Sequence, residues 1–125
     1  MQNLLNTGSL VIGEKSLDAL WLRQKVISSN IANIDTPGYK SLGVLFEDIL
    51  NDALKSDSGN HTGKLINLKP EIVENDGSQI REDGNNVDID AENIELTRAE
   101  IQYQCMALLI SAEISRMKYA IKGGE

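Results

Sequence analysis

Four acids crowd into the ten residues 83–92: Asp83, Asp88, Asp90 and Glu92. Carboxylates at that density hold divalent cations when they alternate around a glycine at the sixth loop position. Counted from Asp83, the fifth position is Val87 and the sixth is Asp88; counted back from Gly77, the first position is Ile72. Neither count makes a calcium loop, and the run reads as a solvated turn leading into a helix cap. Paired carboxylates also serve general acid–base catalysis, but 19 acids in 125 residues make chance pairs common. His61 is the single histidine, in a polar run, and Cys105 is the single cysteine, in an apolar seam. One of each excludes an internal disulfide, a cysteine-rich zinc site and a two-histidine metal site. Asn60-His61-Thr62 fits the glycosylation pattern, a common triplet. There is no phosphate-binding glycine loop and no nucleophile motif. The expectation is a chain without catalysis, cofactor or metal.

The residues with more to say are amides. Ser28, Ser29, Asn30 and Asn33 fall in the last turns of an apolar-periodic segment, ahead of Thr36-Pro37-Gly38-Tyr39. They are mediocre helix formers. Placed at a helix end, they can bond backbone groups there or on a neighbouring chain. Ala32 leaves room for close approach.

The elements that must position them follow from periodicity. A first helix is expected over residues 14–35, with Leu17, Leu20, Gln24, Ile27, Ile31 and Ile34 spaced 3-4-3-4-3 as a heptad seam. Pro37 disfavours helical geometry at Thr36, and Pro37-Gly38 suits the centre of a type II turn. The middle, residues 41–89, is irregular. A helical turn is expected over residues 44–50, a mobile polar loop over 55–63, and short strands over 65–68 and 71–74. Asn75-Asp76-Gly77 reads as a hairpin turn onto residues 78–80.

A second helix is expected over residues 91–122. Asp90 would cap it, Glu92 suits its positive end, Lys118 and Lys122 suit its negative end, and Gly123-Gly124 stop it. It carries two apolar seams. One is Ile94, Ile101, Cys105, Leu108, Ala112 and Tyr119; the other is Leu96, Tyr103, Ala107, Ile110, Ile114, Met117 and Ile121. One seam can pack on the first helix, and the other needs another partner. About 32 residues give roughly 48 Å of helix, whereas a compact chain of this length has a diameter near 35 Å, from a radius of gyration of about 14 Å. The helix should overhang such a body, and an apolar overhang either aggregates or assembles.

The fold class is therefore mainly α: two long terminal helices packed as an antiparallel coiled-coil-like pair, with a polar, partly disordered or short-β middle loop. Residues 1–40, 41–89 and 90–125 form one unit. Aromatics make up only 4% of the chain, so the core is thin. The net charge of -7, with no basic cluster, disfavours nucleic acid and anionic lipid surfaces as partners. No apolar run reaches the about 20 residues of a membrane span. No basic region or A-x-A site marks a cleaved signal near the N-terminus. A cytosolic place, or export by a route without a cleaved signal, is expected.

Asn30-Ile31-Ala32-Asn33 followed by Thr36-Pro37-Gly38-Tyr39 resembles the N-terminal signature of the bacterial flagellar axial proteins, the rod, hook and hook-associated subunits. Asp83-Gly84-Asn85-Asn86-Val87-Asp88 is similar to the segment before the C-terminal helix in the proximal rod subunits, as is the tail at 117–123. Fewer than about 50 residues separate the helices, too few for an inserted domain. The Glu-Met continuation associated with other rod subunits is also missing. The resemblance covers both terminal helices and leaves the middle unmatched.

It implies a structural role in the drive shaft of the basal body, with helices assembling into a tube. It also implies other rod subunits and the basal-body ring and export-gate base as partners, and export by the flagellar type III route. Phe46-x-x-x-Leu50 resembles the short pattern read by the export gate, although a small patch docking the loop on the helices explains it too. Leu17, Leu20, Ile27, Ile31, Ile34, Tyr103, Ile110, Ile114, Met117 and Ile121 are the expected assembly seams. The uncharged segment 1–12 is expected to order only on assembly. The rival reading is a small helical adaptor or secretion chaperone, which should form a discrete dimer.

Overall fold

The computed structural model describes residues 2–56, 61–76 and 80–123, with side chains described from Gly8 onward. Its order is α1 (Gln2–Ala32), β1 (Leu42–Leu45), α2 (Glu47–Lys55), α3 (His61–Ile66), β2 (Glu71–Glu74) and α4 (Ile89–Ile121). The long helices, of 31 and 33 residues, run antiparallel. Gly13 of α1 lies against the Ile110 side chain of α4, and Asn30 bonds Glu92 at the other end of the pair. A Cβ at position 13 would sit 2.8 Å from Ile110 Cγ1, so glycine there sets how closely the helices approach.

The middle of the chain packs on one flank of α1. Arg23 forks onto Glu47 at 3.0 and 2.8 Å and reaches the Val44 carbonyl at 3.3 Å, tying α1 to the start of α2. The buried apolar residues are Ala19, Leu20, Val26 and Ile27 of α1, Phe46, Leu65, Leu68 and Val87 of the middle, and Ala99 of α4. Ala99 is the only buried residue of α4 among those described. No described helix is long and apolar enough to cross a membrane.

Several expectations are corrected. The first helix starts at Gln2 rather than near residue 14, so residues 2–12 are helical and α1 accompanies α4 for nearly its whole length. The exposed apolar surface of α4 thus comes from cover on one side only, not from an overhang. At its other end α1 stops at Ala32, three residues early. The Asn33 N–H there straddles the Ser29 and Asn30 carbonyls at 3.1 and 3.2 Å, tightening the last turn.

Residues 42–45 form a strand, and the helix expected over 44–50 begins only at Glu47. The segment expected as a strand over 65–68 ends a helix. Leu65 and Leu68, three apart, are both buried while Ile66 is exposed, a helical spacing that four apolar letters cannot distinguish from alternation. β2 pairs antiparallel with β1, Leu42 opposite Glu74 and Leu45 opposite Glu71. Asn75 explains this: its N–H and side-chain amide bond the Ser41 carbonyl and hydroxyl at 2.9 and 3.2 Å, holding β2 to β1. Residues 77–79 of the expected hairpin, and residues 57–60 of the expected mobile loop, lie outside the described residues, while Lys55 and His61 to Gly63 are helical. The cap of α4 is Asp88, not Asp90: its side chain accepts from the Asp90 and Ala91 N–H groups at 3.0 and 3.2 Å.

Candidate functional site: a buried amide knot and an uncovered helix face

The two signature segments meet. Pro37 and Gly38 make the type II turn, with Gly38 at φ 75° and the Tyr39 N–H donating to the Thr36 carbonyl at 3.2 Å. Asp83-Gly84 lies directly across from it. The Gly38 N–H donates to the Asp83 carbonyl at 2.8 Å. Gly84, at φ 83°, comes so close that a Cβ on it would lie 3.4 Å from Gly38 Cα. Both positive φ values are ones side chains resist.

Asn30 is the hub. Its side chain is fully buried, at 0% exposure. Its NH2 donates to the Leu42 carbonyl at 2.8 Å and to Glu92 Oε2 at 3.1 Å; its oxygen accepts from the Tyr39 hydroxyl at 3.0 Å and the Leu42 N–H at 2.9 Å. That exhausts the bonding capacity of an amide. One residue thus joins α1, β1, the turn and α4.

Asn85, also at 0% exposure, holds the turn that follows α1 from a distance of about 50 residues in sequence. Its NH2 reaches the carbonyls of Asn33, Ile34 and Thr36 at 2.9, 3.0 and 2.9 Å, so one hydrogen is shared between two acceptors. Its oxygen accepts from the Val87 N–H at 2.8 Å. These carbonyls belong to the turn that follows α1, beyond its last residue Ala32. Arg81 adds a second donor to the Ile34 carbonyl, and Lys40 donates to the Gly84 carbonyl. Asn86 takes the Ser41 N–H at 2.6 Å and gives its NH2 to the Asn75 carbonyl at 3.0 Å. Among the described residues no buried side-chain nitrogen or oxygen lacks a partner.

Asn33 is the amide that stays local. It bonds the Ser29 carbonyl at 2.8 Å and accepts from the Thr36 hydroxyl at 3.0 Å, while Ala32, Pro37 and Gly38 are exposed and Ile31 is half-buried. Glu92, read from sequence only as a helix-start acid, is drawn into the knot. Burial raises its pKa above the ordinary value; the Asn30 bond opposes this, while Glu95 and Asp88 nearby reinforce it. Arg23 does the reverse to Glu47, holding it below the ordinary value. Nothing in the letters marked Glu92, Arg81 or Asn75 as partners, because their contacts span from 34 to 62 positions.

The seams fall into two groups. On α4, Leu96, Ala107, Ile110 and Met117 are half-buried toward α1, whereas Tyr103, Ile114 and Ile121 of the same seam are exposed. The other seam is uncovered throughout: Ile94, Ile101, Cys105, Leu108, Ala112 and Tyr119 are all exposed, Ile101 at 56% and Leu108 at 71%. On α1, Leu20 and Ile27 are buried, but Leu17, Ile31 and Ile34 are only half-buried. Phe46 is buried and Leu50 half-buried. They border a groove of about 320 Å³ shared with Leu20 of α1 and Met106 of α4, away from the knot.

A long antiparallel helix pair, locked at one end and bare along one face, is the form of a subunit that is completed by neighbours. Residues 12–40, which contain the first signature, match the family model described as flagella basal body rod protein. The chain is similar to the flagellar basal body rod protein FlgB of Buchnera aphidicola, with 36% identity over 125 residues covering 88% of this chain and 91% of that one. It is similar to the FlgB of Bacillus subtilis, with 32% identity over 127 residues covering 97% and 98%. A shorter match to the Borreliella burgdorferi FlgB has 46% identity over 52 residues, 42% of this chain and 38% of that one. The chain belongs to the FlgB family of flagellar basal body rod proteins. It is a structural subunit of the rod in the bacterial flagellar basal body.

Proposed function

We propose that this subunit occupies the proximal rod and works by assembly alone, without catalysis. The carrying observation is the uncovered α4 stripe, Ile94 to Tyr119, on a helix whose sole broad packing partner among the described elements is α1. A helix in a closed monomer hides its apolar face; a helical tube buries such a face through heterologous contacts. The knot fixes the angle and register of α1 and α4, so that every copy offers the same surface. Rod subunits and the ring and export-gate base are its partners. The adaptor or chaperone reading has no support from the family.

Export by the flagellar type III route supplies the way to the rod. Phe46 is buried in the fold, so a gate reading Phe46 and Leu50 reads the chain before it folds. The test is complementation. Ile101→Ser with Leu108→Ser, placed in a strain lacking the native gene, should give a folded, exported protein without assembled rods or swimming. Normal rods from that variant would overturn the proposal.

A further inference from the structure

The β-ribbon of the middle segment is covered on one edge only. β1 lies against α1: the Leu42 N–H and carbonyl meet the Asn30 side chain, and the Val44 carbonyl meets Arg23. The main-chain groups of Leu42 and Val44 therefore face away from β2. In an antiparallel ladder the residues opposite them face away too, on the far side. Leu42 stands opposite Glu74 and Val44 opposite Ile72, so the N–H and carbonyl of Ile72 and Glu74 point out of the far edge, while Glu71 and Val73 bond inward to β1. Those outward groups meet no hydrogen-bond partner among the described residues, where β1 is the sole broad packing partner of β2. The Ile72 side chain is 51% exposed. Two strands alone make a marginal sheet, and an open edge is a template for another strand.

We propose that the β2 edge takes an extended, basic segment of a different protein as a third strand. This goes beyond the rod-subunit reading and does not rest on the α4 stripe. Main-chain bonds to Ile72 and Glu74 give such a contact its grip, and the side chains across from β2 give it selectivity. Pro70 has no N–H and interrupts the row just before β2, so the open edge spans only Glu71–Glu74.

Charge chooses the occupant. β2 reads Glu71-Ile72-Val73-Glu74, with both acids exposed. Residues 41–88 hold ten acids and four bases, so six of the chain's seven net negative charges lie in this middle segment. A second copy's β2 would bring acids against acids, which cross-strand pairing penalises, and the rest of its middle segment would repel as well. A strand with lysine or arginine opposite Glu71 and Glu74, and aliphatic residues opposite Ile72 and Val73, suits all four positions. Because successive side chains alternate between the two faces, each face then holds one opposite-charge pair and one aliphatic pair. The occupant is thus a basic chain with a short aliphatic centre, and not a copy of this one.

The probe is a short synthetic peptide with Lys-Val-Val-Lys at its centre and threonine on both sides; its control carries Glu-Val-Val-Glu. The full chain is titrated with each while amide hydrogen exchange is followed by NMR. The lysine peptide should slow exchange at Ile72 and Glu74 by about fivefold or more, with little change at Val73, whose N–H already bonds β1. The glutamate peptide should slow neither. Ile72→Pro deletes one outward N–H and no bond to β1, so it should melt near the wild type and lose the protection at Glu74. Should that variant not fold, Glu71→Lys with Glu74→Lys carries the test: it alters exposed side chains only and should exchange the preference, binding the glutamate peptide. The proposal is overturned by no protection from the lysine peptide, by equal protection from both, or by a doubly reversed variant that still prefers lysine. Protection that grows with protein concentration alone would make a second copy the occupant and overturn it too. The rod-subunit reading fails on a separate result, absence of the wild-type protein from purified basal bodies.

Discussion

The helix pair has opposite chemistry on its two ends and faces. Where α1 ends and α4 begins, amides are buried and every hydrogen-bonding position of Asn30 is filled. Along the outer side of α4, isoleucine and leucine face solvent. Each region reverses the ordinary placement of its residue types. The knot end spends its polar groups inside because hydrogen bonds are directional and fix one geometry. The bare face keeps apolar groups outside because hydrophobic contact is non-directional and can wait for a neighbour. A subunit of this kind needs a rigid joint and an unfinished surface, and the two are kept apart.

If that division holds, changes at the joint should be costly to the monomer. Asn30→Leu should have the largest effect. It strands the Leu42 N–H and carbonyl, the Tyr39 hydroxyl and the Glu92 carboxylate at a buried point, and each stranded group costs about 1–3 kcal/mol. A total loss of about 3–5 kcal/mol is a large share of the about 5–15 kcal/mol of an ordinary domain. A urea midpoint unchanged from wild type would show the knot to be dispensable. Asn85→Ala comes next, at about 2–4 kcal/mol, because the turn after α1 loses the donor to three of its carbonyls and Val87 loses its acceptor. Gly84→Ala should cost about 1–2 kcal/mol from its positive φ alone. All three should leave the α4 stripe chemically intact, so any assembly defect should track the loss of folded protein in a melting curve.

How much of this was legible in the letters depends on range. The long helices, the Pro37-Gly38 turn and the bare second seam of α4 are set by neighbours three to seven residues apart, and spacing shows them. The start of α1 was hidden because residues 1–12 carry one glycine, Gly8, and no charge. Helix there is sustained by α4 alongside, a tertiary effect that propensity cannot register. The knot was half visible. Asn30 and Asn33 stood out as amides at a helix end, but their fates diverge, local for Asn33 and long-range for Asn30. The pairing of β1 with β2 was invisible, since strand register across 26 or more residues is set by Asn75 and Ser41 rather than by a turn.

The bare face should show the converse of the joint. Ile101→Ser and Leu108→Ser alter surface that water already reaches, so each should change the monomer's unfolding free energy in urea by less than about 0.5 kcal/mol. Assembly should nevertheless fail. A stability loss above about 2 kcal/mol would mean that the stripe is covered within the monomer, and the contrast between the two regions would collapse.

The finest test uses two acids with opposite leanings. Glu47 is held below its ordinary pKa by Arg23, so the folded state binds its proton less readily than the unfolded chain does. Its contribution to stability is complete above the ordinary carboxylate value and disappears as the pH falls through the folded value. Glu92 leans the other way: burial raises its pKa, so its favourable contribution exists below the ordinary value and is lost as the pH climbs through the raised one. At neutral pH its ionised form is a net cost. Glu47→Gln should therefore weaken the protein at pH 7, with the gap to wild type closing in acid. Glu92→Gln keeps an oxygen to accept from Asn30 and should slightly strengthen the protein at pH 7, its gap also closing in acid. Urea midpoints of the two variants measured from pH 7 down to about pH 4, the ordinary carboxylate range, would settle the signs. If Glu92→Gln instead weakened the protein at pH 7, the ionised carboxylate would be a stabilising member of the knot, and Asn30 would be holding a charge rather than tolerating one.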